Sequence, residues 1–197
     1  MKLKLPAGAF RAYLFDCDGT VADSMPLHCQ AWGATLGECG CPFDENLFYA
    51  WGGKPSARIV AELNERHGLK MCVEEVERRK EDAYYELLPQ LKPVPEVLEH
   101  IDAQYGKIPL AIVSGGRRDS VMRSLGTLQL FDRFETLVCA DDYTHGKPHP
   151  EPYLLAAERL GIPPTDCLVF EDTDVGIESA TAAGMASVKV PAPWERR

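Results

Sequence analysis

Long apolar runs are missing from this sequence. None approaches the roughly 20 residues that a membrane-spanning helix needs, so no membrane partner is expected. The opening segment, Met1 to Pro6, lacks the apolar stretch of a secretory signal. Positive charge is also short: 21 Lys and Arg face 30 Asp and Glu, a formal net charge of -9. That sign argues against nucleic acid as a partner. It also means that an anionic ligand needs a local basic cluster to overcome the global field. Cysteine lacks pattern rather than number. Cys17, Cys29, Cys39, Cys41, Cys72, Cys139 and Cys167 are odd in count and show no framework spacing, which fits a reducing cytoplasm. Cys39-Gly40-Cys41 is too tight for the usual zinc pair and no second pair follows. The thiols are expected to pack as small apolar side chains. Internal repeats and low-complexity segments are absent too.

What is present is a soluble, globular composition: 197 residues, 45% hydrophobic, enough for one core domain plus a modest insertion. Five short apolar runs read as strands: Ala12 to Phe15, Leu110 to Val113, Thr136 to Ala140, Cys167 to Phe170 and Ala186 to Val190. They lack strict alternation, as strands of a parallel sheet covered on both faces do. Between the later ones lie helical patterns. Pro95 to Tyr105 carries Val97, Leu98 and Ile101. Arg118 to Leu125 follows the second strand. Pro150 to Leu160 places Tyr153, Leu154, Ala157 and Leu160 on one stripe before Gly161, and Val175 to Gly184 is Ala-rich. Strands alternating with helices predict a doubly wound α/β sheet of Rossmann-like type. Asp23 to about Leu91 breaks the alternation with three helical patterns and no strand. The expected organisation is a core of residues 1–22 and 93–197 with a helical cap domain, 23–92, inserted between hinges near Ala22-Asp23 and Lys92 to Pro95.

The chemistry-bearing residues collect after the strands, where an open α/β sheet binds its ligands. The first run ends in Asp16-Cys17-Asp18-Gly19-Thr20, two acids one residue apart, then a turn and a hydroxyl. Such a pair is self-repelling unless a cation sits with it. A hard divalent ion with oxygen ligands answers that, and Mg2+ suits. The second run ends in Ser114-Gly115-Gly116, and the third is followed by Asp141, Asp142 and Gly146-Lys147-Pro148. The fourth ends in Glu171-Asp172, with Asp174 beyond. One such ending is ordinary helix-capping chemistry; four that supply acids, a hydroxyl and a lysine describe a metal and phosphate site. Asp174 reads as a helix N-terminal acid, Asp141 and Asp142 as loop acids, and Trp32, Tyr49 and Trp51 as packing of the cap.

In that order, Asp16 to Thr20, Ser114, Lys147 and Glu171-Asp172 resemble the four motifs of the haloacid dehalogenase superfamily of phosphohydrolases, over nearly the whole chain. Asp23-Ser24 followed by His28 and Ala31-Trp32, and Gly146 to Pro150 with Tyr153, resemble the branch of β-phosphoglucomutase and small sugar-phosphate phosphatases. The resemblance implies Asp16 as nucleophile and Asp18 as general acid and base. It implies Ser114, Gly115 and Lys147 as phosphate contacts. The Mg2+ would be held by Asp16, the backbone carbonyl of Asp18 and Asp172, with Glu171 as ligand or anchor. Thr20 would support the first loop; His28, Lys54, Arg58 and Arg117 are candidate substrate contacts. The resembling mutases carry a basic residue before the cap glycine and an arginine shortly after it. Here Trp51 precedes Gly52, Lys54-Pro55-Ser56 follows, and the nearest arginine is Arg58. The expectation is therefore a cytoplasmic, Mg2+-dependent phosphatase of a small phosphorylated metabolite such as fructose 1-phosphate, monomeric or weakly dimeric. A phosphosugar mutase and a non-catalytic phosphate-ligand binder are the alternatives; the second has no use for Asp18.

Overall fold

The structure, a computed structural model, describes residues 3–51, 54–192 and 195. Gly52 lies outside the described residues. In chain order, β1 (Ala12–Phe15) is followed by α1 (Met25–Glu38), α2 (Glu45–Ala50), α3 (Ser56–His67) and α4 (Val73–Leu87). Then come α5 (Pro95–Gln104), β2 (Leu110–Val113), α6 (Arg118–Thr127), β3 (Thr136–Val138), α7 (Glu151–Leu160), β4 (Cys167–Glu171), α8 (Asp174–Ala182) and β5 (Ala186–Lys189). The chain separates into two compact units, Met1–Asp23 with Leu91–Arg197, and Ser24–Gln90.

The first unit is a parallel five-stranded sheet in the order β3-β2-β1-β4-β5, a doubly wound, Rossmann-like α/β core. Its inner strands are buried on both faces. Ala12 and Leu14 of β1 point to one side, where they pack with Ala111, Val113, Val169, Tyr153 and Ala156 of α7 and Ala180 of α8. Tyr13 and Phe15 point to the other. There Phe15 stacks on Phe170 at 4.7 Å and meets Phe134 edge-on at 6.0 Å, and His100 of α5 lies 5.3 Å from Phe170. Both faces being dry is why the strands read as unbroken apolar runs. The chain winds from β1 through β2 to β3, then crosses back to β4 and β5. The winding thus reverses between β1 and β4, and an open sheet of this kind has its ligand crevice above that reversal.

Two expectations are corrected in this unit. The third strand stops at Val138 rather than Ala140, because the Cys139 amide donates to Asp142 Oδ2 at 2.7 Å and the chain enters a 3-10 turn, Ala140–Asp142. On α7 the buried side is Pro152, Tyr153, Ala156 and Ala157, and Leu154, expected on the buried stripe, is 40% exposed. The two segments that lead out of and back into the sheet unit pair with each other: the Asp23 amide donates to Lys92 O at 2.9 Å and the Val94 amide to Val21 O at 3.0 Å.

Among the described residues the second unit is all-helical. α1 packs chiefly on α4, and Trp32, Leu36, Phe48, Trp51, Ile59, Val60, Leu63 and Val76 form its core. Trp32 and Trp51 meet edge-on at 5.7 Å, so both serve packing, as expected. The unit has a short fourth helix, α2, which the sequence pattern did not announce. Asp44 starts it by accepting from the Asn46 amide at 2.9 Å, and Phe48 anchors it in the core. Gly68 ends α3 in the left-handed conformation at φ 65. Of the seven free cysteines five are buried; Cys39 is half-buried and Cys72 exposed, so Cys72 is not the buried packing residue expected. No helix among the described residues is long and apolar enough to cross a membrane.

Leu14 is fully buried at the centre of the sheet. Leu14→Ala is expected to cost about 2–5 kcal/mol of stability, read as a lower urea midpoint with an unchanged m-value.

Candidate active site

The site grows from backbone pairing at the carboxyl ends of the strands. The Asp16 amide donates to Phe170 O at 3.0 Å, and the Ser114 amide to Val138 O at 2.9 Å. These bonds carry the sheet one residue past β1 and β2, so both residues leave the sheet in fixed directions. After Asp16 the chain turns at once: the Val21 and Ala22 amides donate back to Cys17 O at 3.0 and 2.8 Å, and the Gly19 amide to Ala22 O at 2.8 Å. Gly19 has φ +89, and a Cβ there would collide with the Asp172 carboxylate. The turn therefore needs glycine for two reasons, its backbone angle and the close passage of Asp172.

Lys147 sits at the middle of the arrangement. Its ammonium donates to Asp16 Oδ1 at 2.8 Å, Glu171 Oε1 at 2.6 Å and the Val113 carbonyl at 3.0 Å, and it lies 5.0 Å from the centre of the Tyr153 ring. It thus joins the ends of β1, β2 and β4. Asp172 accepts from Thr20 Oγ1 at 3.2 Å, which ties the fourth segment to the first loop. Glu171 is almost wholly buried, and its second oxygen accepts from the Thr173 amide at 2.7 Å and the Thr173 hydroxyl at 2.8 Å. Thr173 in turn caps α8, accepting from the Gly176 amide at 3.0 Å. A Cβ on Gly176 would occupy the place of the Glu171 carboxylate. Thr173 and Gly176 therefore seat Glu171. Sequence reading passed over both, though the spacing Glu171-Asp172-Thr173 and then Gly176 was there to be read as a helix start built around an acid.

Ser114 is buried and accepts from the Gly116 amide at 3.0 Å. A Cβ on Gly116 would lie 3.2 Å from Ser114 Oγ and 3.6 Å from Asp18 Oδ2. The Asp18 carboxylate is therefore beside the second loop, and a Cβ at Gly116 would crowd Ser114 while only touching Asp18. The Tyr143 hydroxyl, another group the sequence reading did not single out, donates to Ser114 O at 3.1 Å. Gly115 and Arg117 are exposed. Asp141 accepts from the Arg118 amide at 2.7 Å, and Asp142 takes Arg118 at 2.6 Å and Arg159 at 3.0 Å. Both are loop acids held by arginines, as expected, while Asp174 opens α8 and pairs with Lys189 at 2.7 Å.

The candidate cap residues lie in the helical unit. Lys54 and Arg58 both pair with Glu62, at 2.9 and 3.4 Å. His28 stacks on Tyr84 at 3.9 Å. It lines a small cavity of about 150 Å³ with Met25, Trp32, Lys54, Ser56 and Lys80. Lys80 is a buried lysine that sequence reading missed; its ammonium pairs with Glu81 at 2.7 Å and stands 5.6 Å from the Tyr84 ring.

The electrostatics of the sheet unit's site are those of a cation-binding cluster. Asp16, Glu171 and Asp172, three carboxylates, gather around one ammonium. Burial pushes Asp16 well above the usual carboxylate range; Lys147 pulls it back, and Glu171 and Asp172 push it up again. Burial and the neighbouring Glu171 raise Asp172 to about 7. For Lys147, burial favours the neutral amine, but Asp16 and Glu171 outweigh it and keep the group charged. The all-oxygen donor set and its uncompensated negative charge fit a hard divalent ion such as Mg2+.

The family model described as haloacid dehalogenase-like hydrolase matches residues 10–184. The chain is 35% identical to fructose-1-phosphate phosphatase YqaB of Escherichia coli (strain K12), over 92% of this chain and 96% of that one. It is 32% identical to a phosphorylated carbohydrates phosphatase of Thermotoga maritima, over 90% and 83%. Among solved structures, CbbY from Rhodobacter sphaeroides in complex with phosphate superposes with a TM-score of 0.84 at 22% identity, over 95% of this chain and 89% of that one. This last likeness is one of fold.

Removing Lys147 leaves the buried acids without their counter-charge. Lys147→Met is expected to lower stability of the metal-free protein by about 3–5 kcal/mol, measured by urea unfolding at neutral pH.

Proposed function

The chain belongs to the haloacid dehalogenase-like hydrolase family and is a phosphoric monoester hydrolase, and on that premise we propose that it hydrolyses a small sugar phosphate through a phosphorylated Asp16. Fructose 1-phosphate is the candidate substrate, in view of the Escherichia coli relative. The helical insertion, residues 24–90, is proposed as the cap domain. The observation that carries the reading is the Lys147 ammonium bonded at once to Asp16 and Glu171. It offsets charge at a nucleophile that must meet a phosphate dianion.

Mg2+ would be held by the carboxylates of Asp16 and Asp172 and the backbone carbonyl of Asp18, with Glu171 as the anchor that Thr173 already seats. When bound, the ion supplies charge neutralisation for the phosphoryl oxygens and the acids. The residues then divide the work. Ser114 and Lys147 hold the phosphoryl oxygens in line with Asp16. An Asp16 oxygen forms a bond to phosphorus as the ester P–O bond breaks, and Asp18 gives its proton to the departing sugar oxygen. In the second half, Asp18 takes a proton from water as the water oxygen attacks the same phosphorus. The bond to Asp16 breaks, inorganic phosphate leaves, and both acids return to their first states. Asp18 can serve in both directions because its side chain is left outside the metal's ligands. Gly115-Gly116 and the lack of a basic residue at Trp51 favour release to water over the retention of a second phosphate that a mutase needs.

A panel of sugar phosphates with Mg2+ tests the reading: inorganic phosphate is expected from fructose 1-phosphate or a close analogue. Isomerised sugar phosphate without free phosphate would establish a mutase, and tight binding without turnover a binder. Asp16→Asn is expected to abolish phosphate release, because an amide is a poor nucleophile, with the circular dichroism spectrum unchanged. Chelation by EDTA is expected to stop turnover and added Mg2+ to restore it.

A further inference from the structure

The segment that delivers Lys147 inward carries a second group of side chains outward. His145, His149 and Glu151 flank Lys147 within seven residues, and their ligand-type atoms all lie within 4.8 Å of one another. His145 Nδ1 is 2.7 Å from Glu151 Oε2, and His149 Nδ1 is 3.8 Å from the same oxygen. The two rings are tilted at 35° with centroids 4.7 Å apart. We infer that His145, His149 and Glu151 form a second metal site, for a borderline transition-metal ion such as Zn2+ or Ni2+ and made of none of the residues around Asp16.

Three observations carry this. The first is spacing. Two ligands bonded to zinc at ordinary lengths in a tetrahedral arrangement sit about 3.3 Å apart; the separations of 2.7 and 3.8 Å bracket that value. His149 Nδ1 accepts from the Glu151 amide at 3.2 Å, a bond it gives up as a side-chain rotation brings it to the ion. The second is donor type. Two imidazoles and one carboxylate select borderline metals over Mg2+, which prefers oxygen alone. Neutral His145 needs only to carry its proton on Nε2 for its Nδ1 lone pair to face the ion. The third is preorganisation. Glu151 is fixed by the Thr144 and His145 amides at 2.8 and 3.0 Å. The His149 amide donates to Gly146 O at 3.0 Å, and Ser179 Oγ donates to His149 O at 2.7 Å. The backbone between the ligands is thus held before any ion arrives. The histidine side chains are 63% and 51% exposed, which leaves entry and a fourth position open to water. An ion here would brace the segment from which Lys147 projects.

The test is a calorimetric titration of the full chain with Ni2+ in excess Mg2+. One saturable equivalent is expected, with a higher thermal midpoint. His145→Gln and His149→Gln, both at exposed positions, are each expected to weaken binding at least about tenfold, while Asp172→Asn leaves it unchanged. With Cu2+ as probe, the electron paramagnetic resonance spectrum is expected to show coupling to two imidazole nitrogens in the parent chain and to one in each histidine variant. No saturable Ni2+ uptake, or uptake and nitrogen coupling that survive both histidine substitutions, would overturn the site. Either result is independent of whether sugar phosphates are hydrolysed.

Discussion

Three carboxylates crowd one ammonium at the end of the sheet, and much of the surrounding structure answers to that imbalance. Asp16 and Glu171 come together because β1 and β4 are hydrogen-bonded neighbours, and Asp172 follows because the first loop folds back over it. Burial in the crevice, with the repulsion of Glu171 added to it, raises Asp172 to about 7. A buried lysine relieves part of the repulsion. The rest is excess negative charge, which the proposed divalent ion would offset.

The close approach has steric conditions as well as electrical ones. Gly19 and Gly176 stand where a Cβ would displace the carboxylates of Asp172 and Glu171. Thr20 and Thr173 then orient those carboxylates with hydroxyl and amide donors. In this way two glycines and two threonines, none of them charged, decide where the charge sits.

Lys147 differs from the acids in coming from a loop rather than a strand end. A loop holds a buried ammonium in place only if its own backbone is secured. Here Glu151 grips the start of the segment, Ser179 holds its middle, and Tyr143 ties the preceding turn to Ser114. Nearby, Asp142 is locked between Arg118 and Arg159, so that acid is already compensated and does not add to the charge at Asp16. The outward-facing histidines belong to this same braced segment.

The apolar runs and the acids that end them were enough to read the parallel sheet, the helical insertion and the residues around Asp16. Those signals are local: a strand buried on both faces is an unbroken apolar run wherever it lies, and a carboxylate at its end is visible in the chain. The rest depended on contacts between distant residues. The early end of β3 follows from the side chain of Asp142, and α2 from Phe48 finding the aromatic core. Leu154 faces outward because Tyr153 took the inner place, a distinction of one residue that a 3.6-residue period does not resolve. That the two oxygens of Glu171 are bonded to Lys147 and Thr173 was likewise invisible in the chain. The sequence by itself determined which chemical groups the strand ends carry. Only the tertiary structure decided which of them share a charge, because that depends on the order of strands in the sheet and not on their order in the chain.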